Sequence, residues 1–356
     1  MNPQEAFECM KVAALARIPF FLEGDPGDGK SALARQLAHY FHIPTHRFFD
    51  ERATLKDPTD IRGFPRIEGD RTQWCLPQWL PDDNGEPAMI LVDEITTAVK
   101  LTQASYYQIM YDYTVDHTYK LPSNTILGMA GNPVGIGATA SQLPSPLASR
   151  VMWLKLESHV PSFLNWANGF VFNQKAPEPF QPMELKPFTD ESKAFIRFKG
   201  SDALNNFDPE AYIRGGQTSY ACPRTHELAD RALQVCDLIS APKEIMFNCL
   251  AGLVGQDIAS QRLAFRKLAK NLPDPIMILA DPDTAPLPTD YSVIVALTTS
   301  LVDHMTEFNV DNFMRYANRL PSEYQAKLIK EAERHEDKAR LLHNARGYTI
   351  WVAANA

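Results

Sequence analysis

No apolar run in this sequence approaches the ~20 residues an α-helix needs to span a bilayer. The one nearest the N-terminus, Val12 to Leu22, is interrupted by Arg17 and Pro19. The opening segment MNPQEAFECMKVAALARIPF also lacks the basic start, apolar centre and small-residue cleavage site of a secretory leader. From these absences we expect no membrane partner and residence in the cytoplasm. Cysteine is scarce: Cys9, Cys75, Cys222, Cys236 and Cys249 are odd in number and never spaced C-x-x-C. That argues against a disulfide framework or a cysteine zinc site and for reduced thiols. His39, His42 and His46 lie close in sequence, but Pro44 separates the third from any helix shared with the others, so a solvated helix end is expected rather than a metal site. Positive charge is in deficit, with 35 Lys+Arg against 43 Asp+Glu and a formal charge of −8. A protein that coats nucleic acid carries the opposite balance. Nucleic acid is thus disfavoured as a partner, a local basic pore being the remaining route. No internal repeat or low-complexity tract stands out.

The chain does have enough length and apolar content for two to three domains with real cores: 356 residues, 45% hydrophobic and 22% charged. Its first 160 residues alternate short apolar runs with helical patterns, which predicts a parallel α/β sheet. The expected strands are Ile18 to Glu23, Thr45 to Phe49, Ala88 to Val92, Thr125 to Ala130 and Val151 to Leu156. Helices are expected over Ser31 to Phe41 and Thr97 to about Tyr113. Between Gly63 and Gly85, alternation around Glu68-Gly69-Asp70 predicts a projecting hairpin at about 64–76. From about 161 the pattern turns helical, near 161–170, 191–198, 223–239 and 242–270. A proline-rich break at 271–288 precedes a last helical piece from Tyr291 to about Leu342 with charges of both signs, a solvated face by default. The expected organisation is therefore 1–160, 161–270 and 271–356.

Two motifs carry chemistry. Gly24-Asp25-Pro26-Gly27-Asp28-Gly29-Lys30-Ser31 satisfies G-x-x-x-x-G-K-[ST], follows a strand and opens a helix. Glycines let the backbone wrap a phosphate, and the N–H groups of the loop and of the helix start, through Ala32, point at it. Lys30 reaches the β/γ-phosphates and the Ser31 hydroxyl ligates Mg²⁺. Asp25 and Asp28 must then turn their carboxylates away from the triphosphate, because like charges repel. The second motif, Met89-Ile90-Leu91-Val92-Asp93-Glu94, ends a buried strand on two carboxylates. Asp93 is placed for Mg²⁺, and Glu94 to polarise an attacking water as general base. ATP and Mg²⁺ are the expected ligands.

The pair resembles the AAA+ ATPases, and further segments extend the resemblance over about residues 15–270. Thr125 to Pro133 is similar to the sensor-1 strand, which implies that Asn132 orients the hydrolytic water. Leu143 to Val151 is similar to the helix ending in an arginine finger, which implies that Arg150 acts in a neighbouring subunit's site. Cys222-Pro223-Arg224-Thr225 is similar to the start of the lid helix, which implies that Arg224 is the sensor-2 arginine reading the nucleotide. The hairpin at 64–76, the glycine-containing loop Val134 to Ala140 and Asp60-Ile61-Arg62-Gly63 resemble the inserts of the MoxR and dynein-related group. That resemblance implies a ring, usually a hexamer, remodelling a protein substrate, often with a von Willebrand factor A domain partner. Phe64, Trp74 and Trp79 would then be pore-facing candidates, against a plainer role in packing the hairpin on the sheet. The implied fold is a P-loop α/β domain with flanking helices, then an α-helical lid and a C-terminal helical extension. A DNA-acting motor and a nucleotide-gated scaffold with little turnover remain as alternatives at this point. Lys30, Asp93, Glu94, Asn132 and Arg150 occurring together speak against the second.

Overall fold

The computed structural model describes residues 1–115, 119–135, 140–168, 175–269, 273–288 and 291–355. Their strands are β1 (Phe20–Glu23), β2 (Phe48–Arg52), β3 (Phe64–Glu68), β4 (Arg71–Cys75), β5 (Ala88–Asp93), β6 (Thr114–Val115), β7 (Tyr119–Lys120), β8 (Thr125–Gly131) and β9 (Met152–Lys155). Five of them form one parallel sheet in the order β2-β5-β8-β1-β9. Strands covered on both faces favour apolar residues throughout, which is why β1, β5 and β8 are apolar apart from Glu23, Asp93 and Thr125 at their ends. Every residue of β1 and β8 is buried, as is β5 up to Val92. Because all five strands run the same way, the loops after β1, β5 and β8 open at one end of the sheet, where α/β folds take their ligands. The fold is of the α/β P-loop type, with a helical C-terminal region.

Three local expectations shift. Thr45–Arg47 forms a 3₁₀ turn instead of a strand, because the Arg47 N–H bonds back to the Pro44 carbonyl, and β2 starts only at Phe48. The helix expected over Thr97 to Tyr113 is two short pieces, Lys100–Ser105 and Ile109–Asp112. The helix expected over 242–270 breaks at Gly255, whose φ of 82° closes Lys243–Val254 before Gln256–Ala269 begins. The hairpin is present as β3 and β4, antiparallel with Glu68 opposite Arg71 across Gly69 and Asp70. The N-terminal helix Pro3–Leu15, capped by Asn2 and Glu5 in a reciprocal box, has no counterpart in the sequence reading.

The compact units do not coincide with boundaries at 160 and 270. One unit comprises Met1–Pro187 with Leu204–Ser260, the other Phe188–Ala203 with Gln261–Ala356. Within the first, helices Pro223–Leu238 and Lys243–Val254 pack with Pro3–Leu15, and Lys243–Val254 lies against β9. Small residues permit this. A Cβ at Gly252 would stand 2.5 Å from the Trp153 carbonyl oxygen, so helix backbone meets strand backbone there. Part of the stretch expected as a separate lid thus belongs to the body of the sheet domain. Cys9, Cys236 and Cys249 are buried among these three helices as free thiols. The second unit has its own core, with Leu301, Val302, Phe313, Tyr316, Leu328 and Leu342 at its centre. Arg197 clasps Asp303 there through two 2.9 Å contacts.

Candidate functional site

The chain leaves β1 at Glu23, turns through Gly24 to Gly29 and enters the helix Lys30–Tyr40. Gly27 and Gly29 have φ of 91° and 83°, in the left-handed region that only glycine enters freely. A Cβ at either would meet nothing within 4 Å, so the requirement is conformational and not steric. Gly29 caps the helix with no side-chain bond, which leaves the first helical N–H groups facing the loop.

Lys30 is only 9% exposed. Its Nζ donates to the Gly24 carbonyl at 2.7 Å, the Asp25 carbonyl at 2.9 Å and Asn132 Oδ1 at 3.0 Å. Burial holds its pKa below the ordinary 10.5, opposed by the charges of Asp28, Asp93 and Asp25. The Asp28 carboxylate folds back on the loop and across to Ser158: Oδ2 accepts the Asp25 N–H at 2.8 Å, and Oδ1 accepts the Ser158 hydroxyl at 2.6 Å. Asp25 is exposed.

At the end of β5, Asp93 Oδ2 accepts the Ser31 hydroxyl at 2.7 Å and Oδ1 accepts the Glu94 N–H at 2.8 Å. Glu94 has a φ of 58°, unusual for a residue with a Cβ and of the kind that clusters at working sites. Its carboxylate accepts the Thr54 hydroxyl at 2.7 Å and lies 3.8 Å from Arg52. Asn132 follows β8 directly, its N–H donated to Thr96 Oγ at 3.0 Å. Lys30, Ser31, Asp93 and Asn132 therefore form one contact set, with Glu94 at its edge. Arg52, Thr54, Thr96 and Ser158 escape sequence reasoning. Arg52 lies opposite Asp93 in the β2–β5 register, and no local pattern announces a neighbour across a parallel sheet.

Ser31 and Asp93 offer hard oxygens, a donor set that suits Mg²⁺. Among the described residues no cluster of three or more His, Cys, Asp or Glu side chains could hold a metal alone. A Mg²⁺ at this place would be shared with nucleotide phosphates, its usual mode.

Arg150 and Arg224 belong to a second cluster. Arg150 donates to the Pro146 carbonyl, and its guanidinium lies 5.8 Å and 5.5 Å from the ring centres of Tyr107 and Tyr111. Arg224 lies 4.8 Å from the same Tyr111 ring and donates to Ser149 Oγ at 2.8 Å. The structure thus joins Arg224 to Arg150 and gives it no contact with Lys30, Ser31, Asp93 or Asn132. The shared tyrosine was not foreseen, although Tyr107 and Tyr111 stand four residues apart, the spacing of one helix face.

The aromatic candidates of the insert divide. Phe64 is 61% exposed on the hairpin and Trp74 is half-buried, whereas Trp79 packs against the sheet core and donates to the Asp60 carbonyl at 3.0 Å. Trp79 therefore follows the packing alternative. Of the loop Val134 to Ala140, residues 136–139 lie outside the described residues. No described helix is long and apolar enough to cross a membrane.

No family model matches this chain, and no curated protein matches it. Among solved structures, it is similar to a protein described as a putative ATPase from Cytophaga hutchinsonii, with 16% identity and a TM-score of 0.49. That match covers 74% of this chain and 89% of the other.

Proposed function

We propose that this chain is an ATP-hydrolysing AAA+ machine of the MoxR type, assembled as a ring, that remodels or activates a protein partner. One observation carries the hydrolytic part. Lys30 bonds Asn132 and the adjacent Ser31 bonds Asp93, so the loop meets two distant strand ends beside Glu94. The ring, the von Willebrand factor A domain partner and the protein substrate rest on the motif resemblance, and the acidic net charge favours protein over nucleic acid.

The chemistry follows from those positions. Loop and helix N–H groups would bind the β-phosphate, and Lys30 would exchange its carbonyl partners for β/γ oxygens. Bound Mg²⁺, held by Ser31 and Asp93, would neutralise charge across the β- and γ-phosphates. Asn132, no longer accepting from Lys30, would orient a water toward the γ-phosphorus. That water's oxygen forms the new P–O bond, its proton passes to Glu94, and the bond to the β-phosphate oxygen breaks. Glu94 must first leave Thr54 to reach that water's proton. Arg150 and Arg224 would together meet the phosphates of a neighbouring subunit's nucleotide, an effect worth roughly 10³–10⁵ in rate where an arginine finger acts.

The test is turnover and assembly of the purified chain with Mg·ATP, then capture of bound partners by Glu94→Gln in ATP. Steady hydrolysis with a captured von Willebrand-type protein supports the reading. Captured DNA with salt-sensitive binding would replace it with the motor alternative, and tight binding without turnover with the scaffold.

A further inference from the structure

We propose that Tyr111 is a positioning residue that holds Arg150 and Arg224 together as one pair of anion-binding guanidinium groups. This rests on the reading that the two arginines act on a neighbouring subunit's nucleotide. Two like charges placed side by side repel, and in most proteins carboxylates offset that repulsion. Here neither arginine has an ion-pair partner among the described residues. Asp112 acts on Arg150 without forming an ion pair, and what faces both guanidinium groups is the negative π-face of one ring. Tyr111 lies 5.5 Å from Arg150 and 4.8 Å from Arg224, with Tyr107 a second wall at 5.8 Å from Arg150. Burial and the charge of Arg224 hold the Arg150 pKa below its usual value, with Asp112, Tyr111 and Tyr107 opposing them.

The remaining contacts leave donors over. Arg150 gives one Nη to the Pro146 carbonyl, and its Nε is buried without a partner. Arg224 gives one Nη to Ser149, whose hydroxyl donates to the same Pro146 carbonyl at 3.1 Å. The other Nη of each arginine has no acceptor among the described residues. Cations steadied by aromatic faces keep their N–H edges free, whereas a carboxylate would occupy the edges that an incoming phosphate needs. Tyr111 itself is 36% exposed and stands outside the core that buries Tyr106 and Tyr113. Its replacement should therefore disturb the pair more than the fold.

The experiment compares Tyr111→Leu, which keeps apolar bulk without a π-face, with Tyr111→Phe, which keeps the face. Steady-state ATP hydrolysis, fluorescent-nucleotide titration and thermal unfolding are read on the assembled full-length chain. Tyr111→Leu should lower kcat ~10–100-fold, the scale of a misplaced reacting group, with nucleotide affinity and unfolding temperature near those of the parent. Tyr111→Phe should recover most of the loss. Adding Lys30→Ala subunits, whose arginine pair is intact, should restore turnover at the nucleotide sites of Tyr111→Leu subunits. If Arg150→Ala and Arg224→Ala slow turnover while Tyr111→Leu matches the parent, the proposal is overturned and the trans reading stands. If Arg150→Ala turns over at the parental rate, the trans reading fails and the proposal with it. Loss of nucleotide binding in Tyr111→Leu, or no recovery in Tyr111→Phe, would also overturn it.

Discussion

The two clusters of the first unit hold their cations in opposite ways. Lys30 is buried and spends its three donors on two carbonyls and an amide oxygen. Arg150 and Arg224 lie half-buried on aromatic rings with donors left unspent. Hydrogen bonds are directional and costly to leave unmade in a buried place, so the loop centre is set in geometry before a ligand arrives. Cation–π contacts are weaker and less directional, so the arginine pair keeps its charge available to an outside anion. Under the proposed function, the contrast is that of a site receiving phosphate within one chain and a group presented to another.

The largest expected effect is at the loop lysine. Lys30→Ala should abolish turnover and weaken nucleotide binding ~100-fold, the equivalent of a lost charge-assisted bond; fluorescent-nucleotide titration checks it. Unchanged affinity would break the comparison at its first term. Glu94→Gln should cut turnover ~10²–10⁴-fold, as for a lost general base, while binding in the same titration is kept. Arg150→Ala should cost ~10³-fold in turnover and be rescued in mixed assemblies by Lys30→Ala subunits. Full-rate hydrolysis by a dilute monomer would show that the pair is not presented outward at all.

The framework beneath both clusters gives smaller effects. Gly252→Ala should destabilise by ~1–3 kcal/mol through overpacking against β9, read by denaturant unfolding. The smallest effect is at Glu23, which precedes the phosphate loop and is buried with one bond from Trp153 Nε1 at 3.2 Å. Burial raises its pKa above the ordinary 4.5, so its contribution to stability is complete below that value and lost as pH rises through the folded value. Glu23→Gln should therefore raise the unfolding temperature at neutral pH, with the gain disappearing in acid; the reverse trend would show the carboxylate favoured where it lies.

Much of the nucleotide centre was legible because its determinants are local. Gly24 to Ser31 is a continuous run whose glycines, lysine and serine act within one turn, and β5 delivers Asp93 and Glu94 as its own last residue and the next. The glycine conformations and most of the sheet strands follow from short-range sterics and apolar continuity. The grip of Thr54 and Arg52 on Glu94 was not legible, because it depends on β2 lying beside β5 in one register. What the helices of the expected lid bury was not legible for a related reason. Apolar periodicity shows that Pro223–Leu238 and Lys243–Val254 are helices but not what they bury against, and Gly252 and Cys249 proved to be close-packing residues.

The sequence by itself determined β1, β5, β8 and β9, the phosphate loop and the acidic strand end, since each is written in neighbouring residues and their allowed backbone shapes. Only the tertiary structure decided that Arg224 stands with Arg150 across Tyr111, away from the loop lysine. Those residues come from three distant segments, and their approach is set by which surfaces the helices bury, a property of the whole fold that no local spacing encodes.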